Sequence, residues 1–442
     1  MPINTEYNGY KHAIERVELV RNFNEGSDAV KAKGEKYLPR PTGQTDGEYK
    51  AYKMRGYVVP ATNPTATAIT GAIMRRPPTF DLSGNVSYLQ DDYDGMGSNV
   101  DTFTSYMISE LLLAGGLGYL VEFDGLQFSA KPYIKESIIN FSNDYIVLAQ
   151  SYTEQDEKDR YVQHTKTEYL ELTFDEDGFY IQNIWRETKQ GWAIVQTYQP
   201  TNRGERLGYI PFVFCTRPHK HIGSSDPFLL DLVTINLDQY RLSTDQRHGL
   251  HWVALPTMFL FGDLRDEQGQ KSAITVGVGS ANHIEDTDAR AQLLEFTGAG
   301  LGAIKEAIAD DIETMANIGA TMLSNGGEGV KAAETARIEA SSETATLSNL
   351  ANIVDATMMQ INEFISMWSG VTLPDYKVNR DFIDIKLDPA ELSALLKTWQ
   401  SGGMSLNSFL YQLQKGELLP PNVTPEDEEE RIETGTVNFE ED

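Results

Sequence analysis

Cysteine is almost missing from this sequence: Cys215 is the single one in 442 residues. One cysteine cannot close an internal disulfide or build a Cys-rich zinc site, and it suits a reducing compartment. Cationic side chains are also scarce. The chain has 37 Lys and Arg against 65 Asp and Glu, a formal charge of −28. Proteins that grip nucleic acid do so largely by neutralising phosphates with Lys and Arg, so this balance argues against such a binder. It leaves room for a protein that lets DNA pass. Long apolar runs are lacking too. The charge-free stretches richest in apolar residues are interrupted: residues 111–121 carry three glycines and 249–262 a proline. Both fall short of the roughly 20 apolar residues that a spanning helix needs, and no membrane partner is expected. Residues 1–10 show no basic run followed by an apolar core, so the chain is expected to be intracellular where it is made.

Several chemical signatures are absent or incomplete. Gly269-Gln270-Lys271-Ser272 lacks the upstream glycine of a phosphate-binding P-loop, so ATP is not expected to be used by that route. No G-x-S-x-G locates a nucleophilic serine. His248 and His251 lie three apart with Asp245 before them, but no H-E-x-x-H pattern accompanies them, and solvated or interface histidines are the simpler reading. Acidic pairs such as Asp310-Asp311 are too common here to mark a glycosidase pair.

At 40% hydrophobic and 10% aromatic residues the composition is globular, and the length predicts two to four modules. The first 125 residues read as helices. Ile14, Val17, Leu19 and Val20 share a face, a second helix covers residues 63–74, and a third runs from an N-cap at Asp101 to Leu113. Residues 119–123 read as a buried strand. From Pro132 to Cys215 the period changes to two, with Leu170, Leu172 and Phe174 alternating against Tyr169, Glu171 and Thr173. Residues 179–186, 192–198 and 210–216 continue it, as one antiparallel β region of about 80 residues.

Asp226-Pro227 then opens a helix whose face carries Leu229, Leu232, Val233, Asn236 and Tyr240, running to about Trp252. Short strands are expected at 257–261 and 273–278. A second helix, 301–323, has the stripe Ile304, Ile308, Ile312 and Met315. After a glycine-rich loop, no Gly or Pro occurs between Val330 and Ser369, which predicts one helix of nearly 40 residues. Its second half has a stripe at Leu347, Leu350, Val354, Met358, Ile361, Ile365 and Trp368. Its first half has only Ile338 as a large apolar residue, which predicts that it faces a cavity, a channel or a copy of itself. Helices at 389–399 and 405–415 follow. The tail, 424–442, carries nine acidic residues and one arginine, so it holds −8 of the −28.

One motif points elsewhere. Residues 293–303, Leu-Leu-Glu-Phe-Thr-Gly-Ala-Gly-Leu-Gly-Ala, combine a strand, G-x-G-x-x-A and a helix, as in a dinucleotide-binding unit. The acid-ended parallel strand that should follow is missing, so Gly298–Ala303 reads better as a strand-to-helix joint. A nucleotide-dependent oxidoreductase built on that loop stays as an alternative, and a capsid structural protein that is not a channel is another.

The order of short tags along the chain resembles the tailed-bacteriophage portal protein family, in particular its portal-like members described only as phage proteins of unknown function. The tags are Lys36-Tyr37-Leu38-Pro39, Pro132-Tyr133 with Ile138-Ile139-Asn140, Asp226-Pro227 through Leu237 with Gln239-Tyr240, and Arg247-His248-Gly249-Leu250-His251. Leu255-Pro256-Thr257, Leu294 through Leu301, Glu334-Thr335-Ala336 and Asp381-Phe382 with Leu387 complete them.

The resemblance implies an α+β portal fold. Residues 1–225 would be the wing, 226–252 and 301–323 the two stem helices, and 253–300 a small β-containing clip. Residues 324–332 would form the tunnel loop, 333–370 the long helix, and 371–442 a helical crown with the acidic tail. It implies a non-enzymatic protein without cofactor or metal: a ring of twelve copies at one capsid vertex, through which double-stranded DNA is packaged, retained and ejected. Implied partners are the major capsid protein, the terminase large subunit, which would hydrolyse the ATP, and head-tail adaptor proteins. The place is the virion, with assembly in the host cytoplasm. Asn325, Gly326, Gly327, Glu328, Gly329 and Lys331 would face the DNA, with Lys331 as the cationic exception in an acidic wall.

Overall fold

The structure is a computed structural model. It describes the chain apart from residues 1, 81, 157–158, 255–256, 262–289, 295–297, 299, 324–332, 381, 383–388, 416–417, 419–427, 430 and 432–442. It is mixed α and β, as expected, and divides into two units. The first comprises Met1–Asn24, Thr62–Asp231 and Ile318–Asp442; the second comprises Glu25–Ala61 and Leu232–Asn317. Residues 25–61 therefore belong with the second unit rather than with the rest of the 1–225 block.

The first unit is built on the buried helix Val100–Ala114. Its N-cap is Asn99, whose side chain accepts from the Thr102 amide; the expected cap, Asp101, lies one turn-start further in. Gly115 ends the helix at φ 78°, and a Cβ there would come 2.3 Å from the Ser225 carbonyl oxygen. The strand Gly116–Phe123 follows, between Phe128–Ile134 and Phe212–Thr216. The β region expected as one is thus split between two larger sheets, with a small ladder of Thr201–Asn202 and Glu205–Arg206 besides. Five strands, Ile138–Phe141, Tyr145–Gln155, Gln163–Phe174, Tyr180–Thr188 and Gly191–Tyr198, form an antiparallel meander, whereas the last strand, Phe212–Thr216, returns to the first. Local alternation is the same in either arrangement, so only long-range pairing separates them.

Helix Ala333–Ser369 packs its second half on the three-stranded sheet and on Val100–Ala114. All seven stripe residues, Leu347 to Trp368, are buried. At roughly 1.5–3 kcal/mol for each large apolar side chain, they anchor that half against the entropy of ordering it. The side chains of 333–345 lie outside the description.

Polar ties fix where the chain leaves this unit. Lys135 is buried and its Nζ donates to the carbonyls of Ala114 (3.1 Å) and Ser225 (2.6 Å), a cation at a helix C-terminus. Burial lowers its pKa to about 8. Arg16 pairs with Asp226 at 2.7 Å, so Asp226-Pro227 is anchored before the next helix begins at Leu230. Pro227 forms the turn ahead of that helix, its carbonyl accepting from the Leu230 amide, rather than its first residue. Deeper in, Arg21 bridges Glu110 (Nη2–Oε2 2.7 Å) and Glu136.

Candidate functional site

In the second unit two helices, Leu230–Ala254 and Leu301–Leu323, are joined through a β-hairpin of Thr257–Phe261 with Arg290–Leu294. The strand expected at 273–278 lies outside the described residues, and the partner of 257–261 is 290–294 instead. The helices run antiparallel. Gly249 lies beside Leu301, where a Cβ would meet Leu301 Cδ2 at 2.7 Å, and Asp238 lies near Asp311 about three turns back. Small residues permit that approach. Gly298, at φ 64°, sits against Val253 and Leu301, and its carbonyl accepts from the Leu301 amide to start the second helix. The G-x-G segment is thus a packed hairpin-to-helix joint. Its strand is antiparallel to its partner, which is not the parallel arrangement a dinucleotide-binding unit requires.

The expected face of the first helix is buried at Leu232, Val233, Asn236 and Tyr240. Its polar members do something that periodicity does not show: they hold an extended piece of backbone. Ser243 Oγ accepts from the Tyr57 amide at 3.1 Å and lies 2.8 Å from the Tyr57 carbonyl. Asn236 Nδ2 donates to the Val59 carbonyl at 2.8 Å, and the Val59 amide donates to Gln239 Oε1 at 3.4 Å. These side chains replace a neighbouring strand for residues 57–59. Gly56 is required by the approach, because a Cβ would meet Thr244 Oγ1 at 2.3 Å.

Further along, the helix presents a cationic and aromatic cluster. Tyr52 donates to Asp245 Oδ1 at 2.5 Å, and both burial and that carboxylate push the phenol up. His248 packs edge-on to Tyr52, its Nε2 accepts from Trp252 Nε1 at 3.0 Å, and Arg55 lies 3.4 Å from its Nδ1. Burial first, then the charges of Arg55 and His251, lower its pKa, which favours the neutral imidazole. Asp245 and the ring nitrogens are therefore engaged with different partners and do not converge. Among the described residues no group of three His, Cys, Asp or Glu could hold a metal. Arg247 stacks over Tyr57, 5.0 Å from the ring centroid, and Trp252 is exposed.

The second helix is only partly covered among the described residues. Of its stripe only Met315 is buried; Ile304 and Ile308 are half-buried and Ile312 is 42% exposed. Its charges are Glu306, Asp310, Asp311 and Glu313 against Lys305. Asp311 is raised by burial and by the nearby charges of Asp238 and Asp310.

A family model fits part of this region. The model described as a domain of unknown function (DUF4055) matches residues 228–369, which takes in both helices, the hairpin and the long helix. No curated protein matches. Among solved structures, the chain is similar to one from the neck of an empty GTA particle computed with C6 symmetry, at 12% identity and TM-score 0.40, covering 87% of this chain and 97% of that one. It is also similar to a chain from the virion of a native gene transfer agent particle, at 11% identity and TM-score 0.39, covering 90% and 99%. A third, from the neck of the native particle computed with C12 symmetry, gives 11% identity and TM-score 0.37, covering 87% and 98%.

The sequence-expected DNA-facing residues, Asn325, Gly326, Gly327, Glu328, Gly329 and Lys331, all lie outside the described residues. What sequence reasoning missed is the backbone-holding face at Asn236, Gln239 and Ser243. The signal was there, as three polar residues at helical spacing beside an apolar stripe, but reading it needs the partner segment, 180 residues away.

Proposed function

We propose that this chain is a portal subunit: a ring-forming conduit at a capsid vertex that passes double-stranded DNA and leaves ATP hydrolysis to a docked terminase. One observation carries the reading. Helix Leu301–Leu323 is amphipathic, yet among the described residues its stripe is only partly covered, with Ile304 and Ile308 half-buried and Ile312 exposed. A helix with an apolar stripe needs a surface to cover it, and copies arranged around an axis supply one. The antiparallel helix pair with a β-hairpin at one end supports its assignment as stem (226–252 and 301–323) and clip (253–300). Residues 324–332, with Lys331, are assigned as the tunnel loop and 371–442 as the crown. An acid-rich helix facing the lumen repels phosphate, so DNA slides without sticking. The major capsid protein and head-tail adaptors are the remaining partners.

Mass photometry and negative-stain imaging of the purified chain test this. Twelve copies of a 49.4 kDa chain give a particle of about 590 kDa with a central hole. Compact monomers or dimers at micromolar concentration defeat the reading, and closed particles without a hole favour a capsid component that is not a channel.

A further inference from the structure

The strand Gly191–Tyr198 ends the five-stranded sheet and, among the described residues, pairs with Tyr180–Thr188 alone. It reads Gly-Trp-Ala-Ile-Val-Gln-Thr-Tyr, with no charge and no proline, and Ile194, Val195 and Tyr198 are each close to half exposed. The opposite edge of the same sheet is closed. There the Tyr7 amide donates to the Ile139 carbonyl at 2.9 Å, and Asn140 Nδ2 donates to the Thr5 carbonyl at 2.9 Å. Exposed strand edges are normally blunted with lysine, proline, bulges or a cover, because their free N–H and C=O groups recruit another strand. One edge of this sheet has such a cover; the other carries one bulge, at Val195, but neither charge nor proline nor, among the described residues, a cover.

A cleft of about 730 Å³ opens where that strand ends. Its lining includes Tyr198, Gln199 and Pro200 together with Asp92, Glu122 and Asp124. Lys131 pairs with Glu122 and its charge also reaches Asp124, so three carboxylates of the lining share one cation.

We propose that Gly191–Tyr198 takes an extended segment of a partner protein as a sixth strand, with a Lys or Arg of that segment at the mouth of the cleft. Charge selects the occupant. A second copy brings another −28 and, strand against strand, no cation to balance the excess of carboxylates over Lys131. A basic extended segment brings one, and at about 3.4 Å per residue a cation two positions past the partner of Tyr198 reaches the cleft. Main-chain bonds supply affinity in this mode and the flanking pocket supplies specificity. The proposal goes beyond the conduit reading and does not rest on it.

The test uses the full chain and three labelled synthetic peptides in fluorescence anisotropy. The first alternates Val and Thr over eight residues behind two N-terminal lysines, the end that antiparallel pairing sets beside Tyr198. The second replaces the lysines by glutamates, and the third has alternate backbone amides N-methylated. The lysine peptide is expected to bind and to protect amides of residues 191–198 from exchange. The other two are expected to bind about tenfold more weakly or worse, as is the lysine peptide to the double variant Ile194→Lys, Val195→Lys. Both substituted side chains are exposed, and the peptide comparison on the unsubstituted chain stands if that variant misfolds. Binding that survives N-methylation unchanged, or no binding up to about 1 mM, overturns the proposal. So does a change in oligomeric state of the double variant, which would assign the edge to a second copy.

Discussion

Ile312 offers the most direct perturbation of the ring. It belongs to the stripe of helix Leu301–Leu323 and is 42% exposed in one chain. Burying a whole isoleucine is worth about 1.5–3 kcal/mol, so covering the exposed share contributes roughly 0.6–1.3 kcal/mol at each subunit contact. Ile312→Ala removes that share, and each contact should weaken about three- to ninefold. Ile312→Asp should do far more. It adds a carboxylate beside Asp310, Asp311 and Glu313, at a contact that must lose water, with a cost of several kcal/mol. Mass photometry over a dilution series should show rings for the natural chain, rings dissociating at several-fold higher concentration for Ile312→Ala, and none for Ile312→Asp. Far-ultraviolet circular dichroism should be the same for all three, because Ile312 is a surface residue of its own chain and not one of its buried core residues. Rings that persist unchanged in Ile312→Asp would refute the assignment of this helix to a subunit contact. Loss of helical signal in Ile312→Ala would place the residue in the chain's own core and refute it equally.

Other expectations follow from the ionic and buried groups. Arg21→Met should cost about 2–4 kcal/mol in urea unfolding, because it strands Glu110, which is almost fully buried, beside Glu136; a cost under about 1 kcal/mol would mean the cluster behaves as a surface pair. Lys135 has a folded pKa of about 8 against its ordinary 10.5, so the unfolded chain binds the extra proton between those values. The natural chain should therefore gain stability relative to Lys135→Met as pH rises from 8 to 10.5, and a flat difference over that window would be contrary evidence. Asp311, raised by burial and by Asp238 and Asp310, loses its stabilising contribution as pH rises through its folded value. Asp311→Asn should then raise the melting temperature at pH 7 and leave it unchanged well below pH 4, as followed by calorimetry. Twelve chains of −28 amount to about −336 per ring, so raising salt from about 50 to about 500 mM should shift the dilution series toward rings. A shift toward monomers would show that attractive ion pairs dominate the contact instead.

Some of this architecture is legible in the chain and some is not, for identifiable reasons. The stripe from Leu347 to Trp368 was readable because helical periodicity is a local property, and all seven positions are buried. Helix Leu301–Leu323 and strand Thr257–Phe261 fall where composition places them. The N-cap shifts from Asp101 to Asn99 because both can cap, and only backbone geometry chooses. The single β region becomes two sheets because Phe212–Thr216 pairs with a strand nearly a hundred residues earlier. The motif at Gly298 shows the same divide. Its glycines are needed for close packing on Val253 and Leu301, and a sequence pattern cannot tell that need from an approach to a pyrophosphate.

By itself, then, the sequence determined composition, charge and periodicity: an acidic α+β chain with one cysteine, a long helix anchored over half its length, and a second amphipathic helix. These follow from side-chain chemistry at spacings of two to four residues. Only the tertiary structure decided what meets across long separations. It brought Asn236, Gln239 and Ser243 to the backbone of 57–59, joined Arg21 to Glu110 and Glu136, covered one edge of the sheet and, among the described residues, not the other, and left Ile312 exposed. Burial and pairing depend on which distant surfaces the chain brings together, and periodicity carries no record of that choice.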